Sequence, residues 1–234
     1  MKNNNKRPII GIVAKFNDFD DPNFMWRRQV FDGLTRAILI KHGANVLGVL
    51  PQNQAVDFND NDAGNHLITM KKEEEENFVS MLKLCDGIVL QGGANSDYYE
   101  EFTAKYCYDN NIPLLGICAG YNNIIRGLGG TTTTNDDSHN KFAEKFVHNI
   151  DIVSGTLLHK IVNCNTLGVN SMHLWVADKL NNLVANCYSP DGCIEGVEAP
   201  DKKFLMGLKF HPELLVDNPD IDAIFKAFVE SCKK

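Results

Sequence analysis

Pro113-Leu-Leu-Gly-Ile-Cys-Ala-Gly-Tyr-Asn-Asn-Ile-Ile-Arg126 runs from a continuous apolar stretch into one cysteine and leaves it directly on a helical pattern. Pro113 to Ile117 reads as a buried strand and Gly120 to Leu128 as a helix. Strand, cysteine, small residues and helix make a nucleophile elbow, with Gly116-x-Cys118-x-Gly120 in place of the serine version. Glycine is wanted on both sides because the turn is so sharp that neighbouring side chains would collide. The helix N-terminus then offers partial positive charge and free N–H groups to a thiolate and a developing oxyanion. On these residues alone, a buried structural cysteine fits equally well.

Working outward, short apolar runs alternate with helical patterns, the signature of a parallel sheet with crossover helices. Ile9 to Ala14 is the first strand. Asp21 followed by Pro22 predicts a helix start, with Val30, Phe31, Leu34 and Ile38 as its stripe and Gly43 as its stop. Asn45 to Leu50 and Gly87 to Leu90 are further strands, and Glu73 to Leu84 and Tyr98 to Asp109 helices. Gln91, Gly92 and Gly93 make a tight loop.

Thr131 to Asn140 reads as a polar loop. Strand-like runs follow at His148–Val153, Leu157–Val162, Leu183–Tyr188, Cys193–Glu198 and Phe204–Phe210. A last helix buries Ile221, Ile224, Phe225, Phe228 and Val229. No Pro- or Ser-rich linker divides the chain. The expectation is one α/β domain over residues 1–234: an open, mostly parallel sheet with helices on both faces.

Composition narrows the function classes. The 234 residues are 44% hydrophobic, enough for a real core, and their net charge of −7 offers no basic face to nucleic acid. No apolar run approaches the roughly 18 residues of a membrane span. Met1 to Arg7 is basic and Ile9 to Ala14 apolar, but the apolar part is too short for a signal peptide. The seven cysteines are odd in number, with no Cys-x-x-Cys, and no Asn-x-Ser/Thr sequon occurs, so a reducing, cytoplasmic setting is expected. No cofactor is expected. Zinc is disfavoured because no two Cys or His lie at ligand spacing, with His139 and His148 too loosely placed. No Gly-x-Gly-x-x-Gly follows the first strand to hold a dinucleotide.

A thiolate nucleophile needs a base. Phe204-Leu-Met-Gly-Leu-Lys-Phe-His-Pro-Glu213 ends a strand on His211, and Pro212 stiffens the backbone so that Glu213 can turn back and fix the imidazole tautomer. Standing alone, His211 would more often be a surface histidine beside a helix start.

With a Gly-x-Cys-x-Gly elbow and a later His-Pro-Glu, the chain resembles the class I glutamine amidotransferase superfamily, whose architecture is flavodoxin-like. It is most similar to the free-standing hydrolase branch typified by γ-glutamyl-γ-aminobutyrate hydrolase. Pro8-Ile-Ile-Gly-Ile12, Leu90-Gln-Gly-Gly93, Val169-Asn-Ser-Met-His173 and Asp191-Gly-Cys-Ile-Glu-Gly-Val-Glu198 fit that branch in order. The resemblance implies that Cys118 attacks a γ-glutamyl carbonyl of a small metabolite, that His211 shuttles the proton and that Glu213 orients His211. A γ-glutamyl thioester would form and water would release it. Gly92, Gly93 and Ala119 would supply the oxyanion N–H groups, and Asn170, Ser171 and His173 would lie near the substrate. For His173 a structural role fits as well.

Departures from the branch are Ala119 where it usually has Arg, Asn122 where it has Gln, and His173-Leu-Trp175 where it has His-His-Gln. They leave open how the glutamyl head is gripped and which amine leaves. Two other functions stay in view: a glutaminase subunit feeding ammonia to a separate synthase partner, and a catalytically silent binding protein on the same fold. A homodimer is also open.

Overall fold

The computed structural model describes residues 6–17, 28–53, 60–61, 65–66, 69–93 and 98–234. The first strand, β1 (Ile9–Val13), is followed by an antiparallel pair, β2 (Lys15–Asn17) with β3 (Arg28–Val30), then α1 (Gly33–Lys41) and β4 (Asn45–Val49). A second small pair, β5 (Asp60–Asn61) with β6 (Asn65–His66), precedes α2 (Lys72–Leu82), β7 (Gly87–Leu90), α3 (Tyr98–Asp109), β8 (Leu114–Ile117) and α4 (Ala119–Gly127). The second half holds β9 (Thr131–Thr134), β10 (His148–Ile152), α5 (Leu157–Val162), β11 (Thr166–Val169) and β12 (Trp175–Lys179). It closes with β13 (Val184–Tyr188), β14 (Ile194–Glu198), β15 (Leu205–Leu208) and α6 (Pro219–Ser231).

Nine strands form one sheet in the order β11-β10-β13-β14-β15-β8-β7-β1-β4. From β15 to β4 every pairing is parallel, and from β11 to β15 every pairing is antiparallel. The sheet is therefore mixed, with the parallel half built by the alternating first half of the chain. Side chains alternate across it as the pleat demands. Val89, Leu115 and Met206 point into a core shared with α1, α5 and α6. Their neighbours Ile88, Leu114 and Leu205 point into a second core with α2, α3 and α4. Helices thus cover both faces. Among the described residues no helix is long and apolar enough to cross a membrane.

Three elements differ from the sequence expectation. The Asp21-Pro22 start lies outside the described residues, and α1 begins at Asp32, whose side chain accepts from Thr35 N at 2.6 Å. Gln91 fixes this start: its Oε1 accepts from Asp32 N, and its Nε2 donates to Val13 O and Val30 O at 2.7 and 2.9 Å. Val30 therefore belongs to β3, Phe31 and Leu34 stay exposed, and α1 buries Thr35, Ile38 and Leu39. Leu157–Val162 is a helix, not a strand. Thr156 caps it, and the distant Glu198 carboxylate accepts from the N–H groups of Leu157 and Leu158 at 2.6 and 3.2 Å. Thr131–Thr134, read as loop, pairs antiparallel with β12, as β-branched residues favour.

The elbow depends on its two glycines. A Cβ at Gly120 would lie 2.0 Å from Leu90 O, and one at Gly116 would lie 2.7 Å from Gly120 O. Gly120→Ala should force α4 off the sheet and lower the melting temperature sharply, by several degrees or to the point of insolubility. Gly33→Ala, where a Cβ meets nothing within 4 Å, should leave it unchanged or raise it slightly. Equal melting temperatures in a thermal scan would contradict this account of the elbow.

Candidate active site

Three adjacent parallel strands end together. β8 delivers Cys118, β7 delivers Gln91, Gly92 and Gly93 on one side, and β15 delivers Lys209 and His211 on the other. The carboxyl ends of parallel strands are where open α/β sheets place ligands.

Cys118 has φ 51 and ψ −99, a left-handed conformation that a non-glycine residue holds only when its surroundings enforce it. Its N–H donates to Leu208 O at 2.8 Å, and its carbonyl accepts from Asn122 N at 3.3 Å. Ala119 opens α4, so its N–H is among those with no acceptor inside the helix. Gly92 packs against both partners: a Cβ there would lie 2.6 Å from His211 Cε1 and 3.6 Å from Cys118 Cβ. Gly93 follows it, over the buried Lys15 stem.

His211 is held from three directions. Glu213, in the 3₁₀ turn Pro212–Leu214, places Oε1 2.6 Å from His211 Nδ1. Asn170 brackets the His211 backbone, accepting from its N–H at 2.8 Å and donating to its carbonyl at 2.9 Å. With Nδ1 on Glu213, the other ring nitrogen is left for the thiol.

Burial alone would push the Cys118 thiol up, but the Lys209 ammonium and a hydrogen bond to His211 pull it down to about 7. Burial would likewise lower His211, yet Cys118 and Glu213 push it up to about 10. The pair is thus poised as thiolate and imidazolium. The other cysteines move the opposite way, Cys85 to about 11 and Cys232 to about 12, both through burial. Cys107, Cys164, Cys187 and Cys193 are also pushed up, burial leading in each.

The structure spreads the remaining candidates over different tasks. Asn170 grips the His211 backbone. Ser171 is fully buried, its hydroxyl donating to His139 O at 2.7 Å, and His173 is buried with Nε2 3.2 Å from Glu195 Oε1. These two side chains face an internal cluster rather than the thiol.

Two residues escaped the sequence reading. Lys209 is 1% exposed, with Nζ 3.0 Å from Asn122 Oδ1 and 5.6 Å from the centre of the Tyr121 ring. A lone charge inside the apolar run Phe204 to Phe210 was the available signal. Glu195 is fully buried and close to three histidines. Ligand donor atoms of His139, His148 and Glu195 lie within 4.8 Å of one another, as do those of His139, Asp191 and Cys193. Sequence spacing could not reveal these groups, because the fold gathers their donors from separate segments.

The fold and its cysteine elbow place the chain in the glutamine amidotransferase class of amide-hydrolysing enzymes. It belongs to the peptidase C26 family, whose model matches residues 95–213. A glutamine amidotransferase-like protein of Rickettsia prowazekii is 25% identical, over 97% of this chain and 99% of its own length. The CTP synthase of Staphylococcus carnosus is 28% identical over 68% of this chain, a match that spans 36% of the synthase. The acivicin-bound glutaminase domain of Trypanosoma brucei CTP synthase has the same fold, with a TM-score of 0.64 at 18% identity, covering 95% of this chain and 94% of that one.

Iodoacetamide should label Cys118 first among the seven thiols, at a rate that climbs as pH rises through about 7, because only the thiolate reacts. Lys209→Met removes the ammonium and should move that titration upward. A wild-type titration at the unperturbed ~8.5 would contradict this electrostatic assignment.

Proposed function

We propose that the protein is a cysteine-dependent γ-glutamyl hydrolase that cleaves the side-chain amide of a small γ-glutamyl compound. One observation carries the reading: a thiol on an enforced elbow, hydrogen-bonded to an imidazole whose Nδ1 sits 2.6 Å from a carboxylate. In this reading Cys118 Sγ attacks the γ-carbonyl carbon, and the tetrahedral oxyanion is met by N–H groups of the Gly92-Gly93 loop and of Ala119. His211 passes a proton to the departing nitrogen, and the amine leaves a γ-glutamyl thioester on Cys118. His211 then takes a proton from water, whose oxygen attacks the thioester, releasing glutamate and restoring the thiol. Glu213 keeps the imidazole in one tautomer throughout.

The departures at the binding end bear on the leaving group. Asn122 is nearly buried and its carbonyl oxygen is engaged by Lys209, so it serves the thiolate's counter-ion. What supports the hydrolase branch over glutamine itself is the likeness of Pro8–Ile12 and Val169–His173 to that branch, and the departure at Asn122 bears on which amine leaves. The second reading, a glutaminase feeding a separate synthase, is favoured by the match to CTP synthase.

Purified protein incubated alone with a panel of γ-glutamyl amines should release glutamate, with slow turnover of glutamine. Activity on glutamine that appears only with a synthase present would replace this reading with the second. Intact-mass spectra should show a γ-glutamyl adduct that Cys118→Ala abolishes. Glu213→Gln should cost at least about tenfold less in kcat than Cys118→Ala or His211→Ala, since it acts through placement alone. Equal losses at all three positions would count against the orienting role.

A further inference from the structure

Three histidines from separate segments converge on one buried carboxylate, Glu195, whose charge acts on Lys209 as that of Cys118 does. Glu195 stands on β14, His148 opens β10, His139 ends the 3₁₀ turn Asp137–His139, and His173 follows β11. Glu195 Oε1 lies 3.1 Å from His139 Nδ1, 3.2 Å from His173 Nε2 and 3.8 Å from His148 Nε2. The His139 ring centre is 5.0 Å from those of both His148 and His173.

We propose that His139, His148 and Glu195 bind one divalent transition-metal cation of the zinc or cobalt class. A cation bonded to N and O donors at about 2.0–2.2 Å keeps them roughly 3.4 Å apart, so the 3.1 and 3.8 Å separations need little adjustment. The set has the right chemistry, two imidazoles and a carboxylate, leaving a further position for water or for a turned His173.

A second observation is independent of these spacings. Among the described residues, Glu195 Oε2 and His148 Nε2 are buried atoms with no hydrogen-bond partner, and Glu195 is 0% exposed. A buried carboxylate oxygen without a donor is costly, and a cation held by both oxygens of Glu195 would satisfy it together with the imidazole lone pair. The outer shell is also in place. His139 Nε2 lies 2.8 Å from Asp191 Oδ2, the carboxylate–histidine arrangement that orients a ligating imidazole, and Ser171 holds the His139 carbonyl. Loading must displace the proton that His139 shares with Glu195 and Asp191, so binding should release protons.

The test uses the full chain with Cys118→Ser, which removes the thiol that could capture metal with His211. Titration with Co²⁺ should give one visible-absorbing complex per chain, displaced by Zn²⁺, with proton release and a raised melting temperature. His148→Ala and Glu195→Gln should each weaken Co²⁺ binding by at least about tenfold, whereas Cys193→Ser should not. Far-UV dichroism checks the fold of each variant, and His148→Gln replaces His148→Ala if the latter does not fold. No saturable Co²⁺ complex, binding indifferent to His148, or binding lost with Cys193→Ser would each overturn the proposal.

Discussion

The contact on which the site depends is the approach of the Gly120 backbone to the Leu90 carbonyl. It leaves no room for a Cβ, and it brings the first turn of α4 against the end of β7. Once α4 starts there, the chain leaving β8 must reverse direction within one residue, and Cys118 takes a left-handed conformation to do so. Gly92 is constrained in its turn, since the His211 ring occupies the space where its Cβ would be. Gly120 and Gly92 thus make a single steric solution, and the placement of Cys118 follows from backbone packing.

His211 is positioned by a different means. Parallel pairing of β15 with β8, in the register Leu208 to Ile117, lets both chains leave the sheet at one level. Asn170, from the segment after β11, satisfies both backbone polar groups of His211, so an irregular residue gains what a strand partner would have given it. Glu213 completes the restraint from the 3₁₀ turn beyond Pro212. On the proposed mechanism, a base fixed at backbone and ring would lose little freedom when substrate arrives, which is what a preorganised proton shuttle requires.

What could be read from sequence is what is local. Gly116, Cys118 and Gly120 announce their own turn, and His211 with Glu213 lies within a few residues of chain, so the elbow and its partners were visible. The parallel strands were visible as well, because burial on both faces leaves continuous apolar runs. Long-range polar contacts were not. α5 looked like a strand because Leu157–Val162 is apolar and short; its helical start is stabilised by Glu198, some forty residues later. The start of α1 is fixed by Gln91 in the same manner. The histidine cluster is the extreme case: His139, His148, His173 and Glu195 share no spacing, and only the antiparallel half of the sheet brings them together.

That cluster and the thiol belong to one electrostatic series. Glu213, His211, Cys118, Lys209, Glu195, His139 and Asp191 alternate in sign, each acting on the next by hydrogen bond or charge. Isolated buried charges are costly to keep, but in such a series every interior member has an opposite charge on each side. Lys209 is the middle link. Burial pulls it toward neutrality and lowers its pKa on balance, while the charges of Cys118 and Glu195 oppose that shift. Its charge is what offsets the desolvation of the thiolate, while Asn122 accepts from its ammonium. The cluster is therefore not a remote ornament of the fold. Whatever neutralises Glu195, a proton or a cation, removes one of the two negative charges that support the Lys209 ammonium, so the charge state of the cluster bears on Cys118 through Lys209.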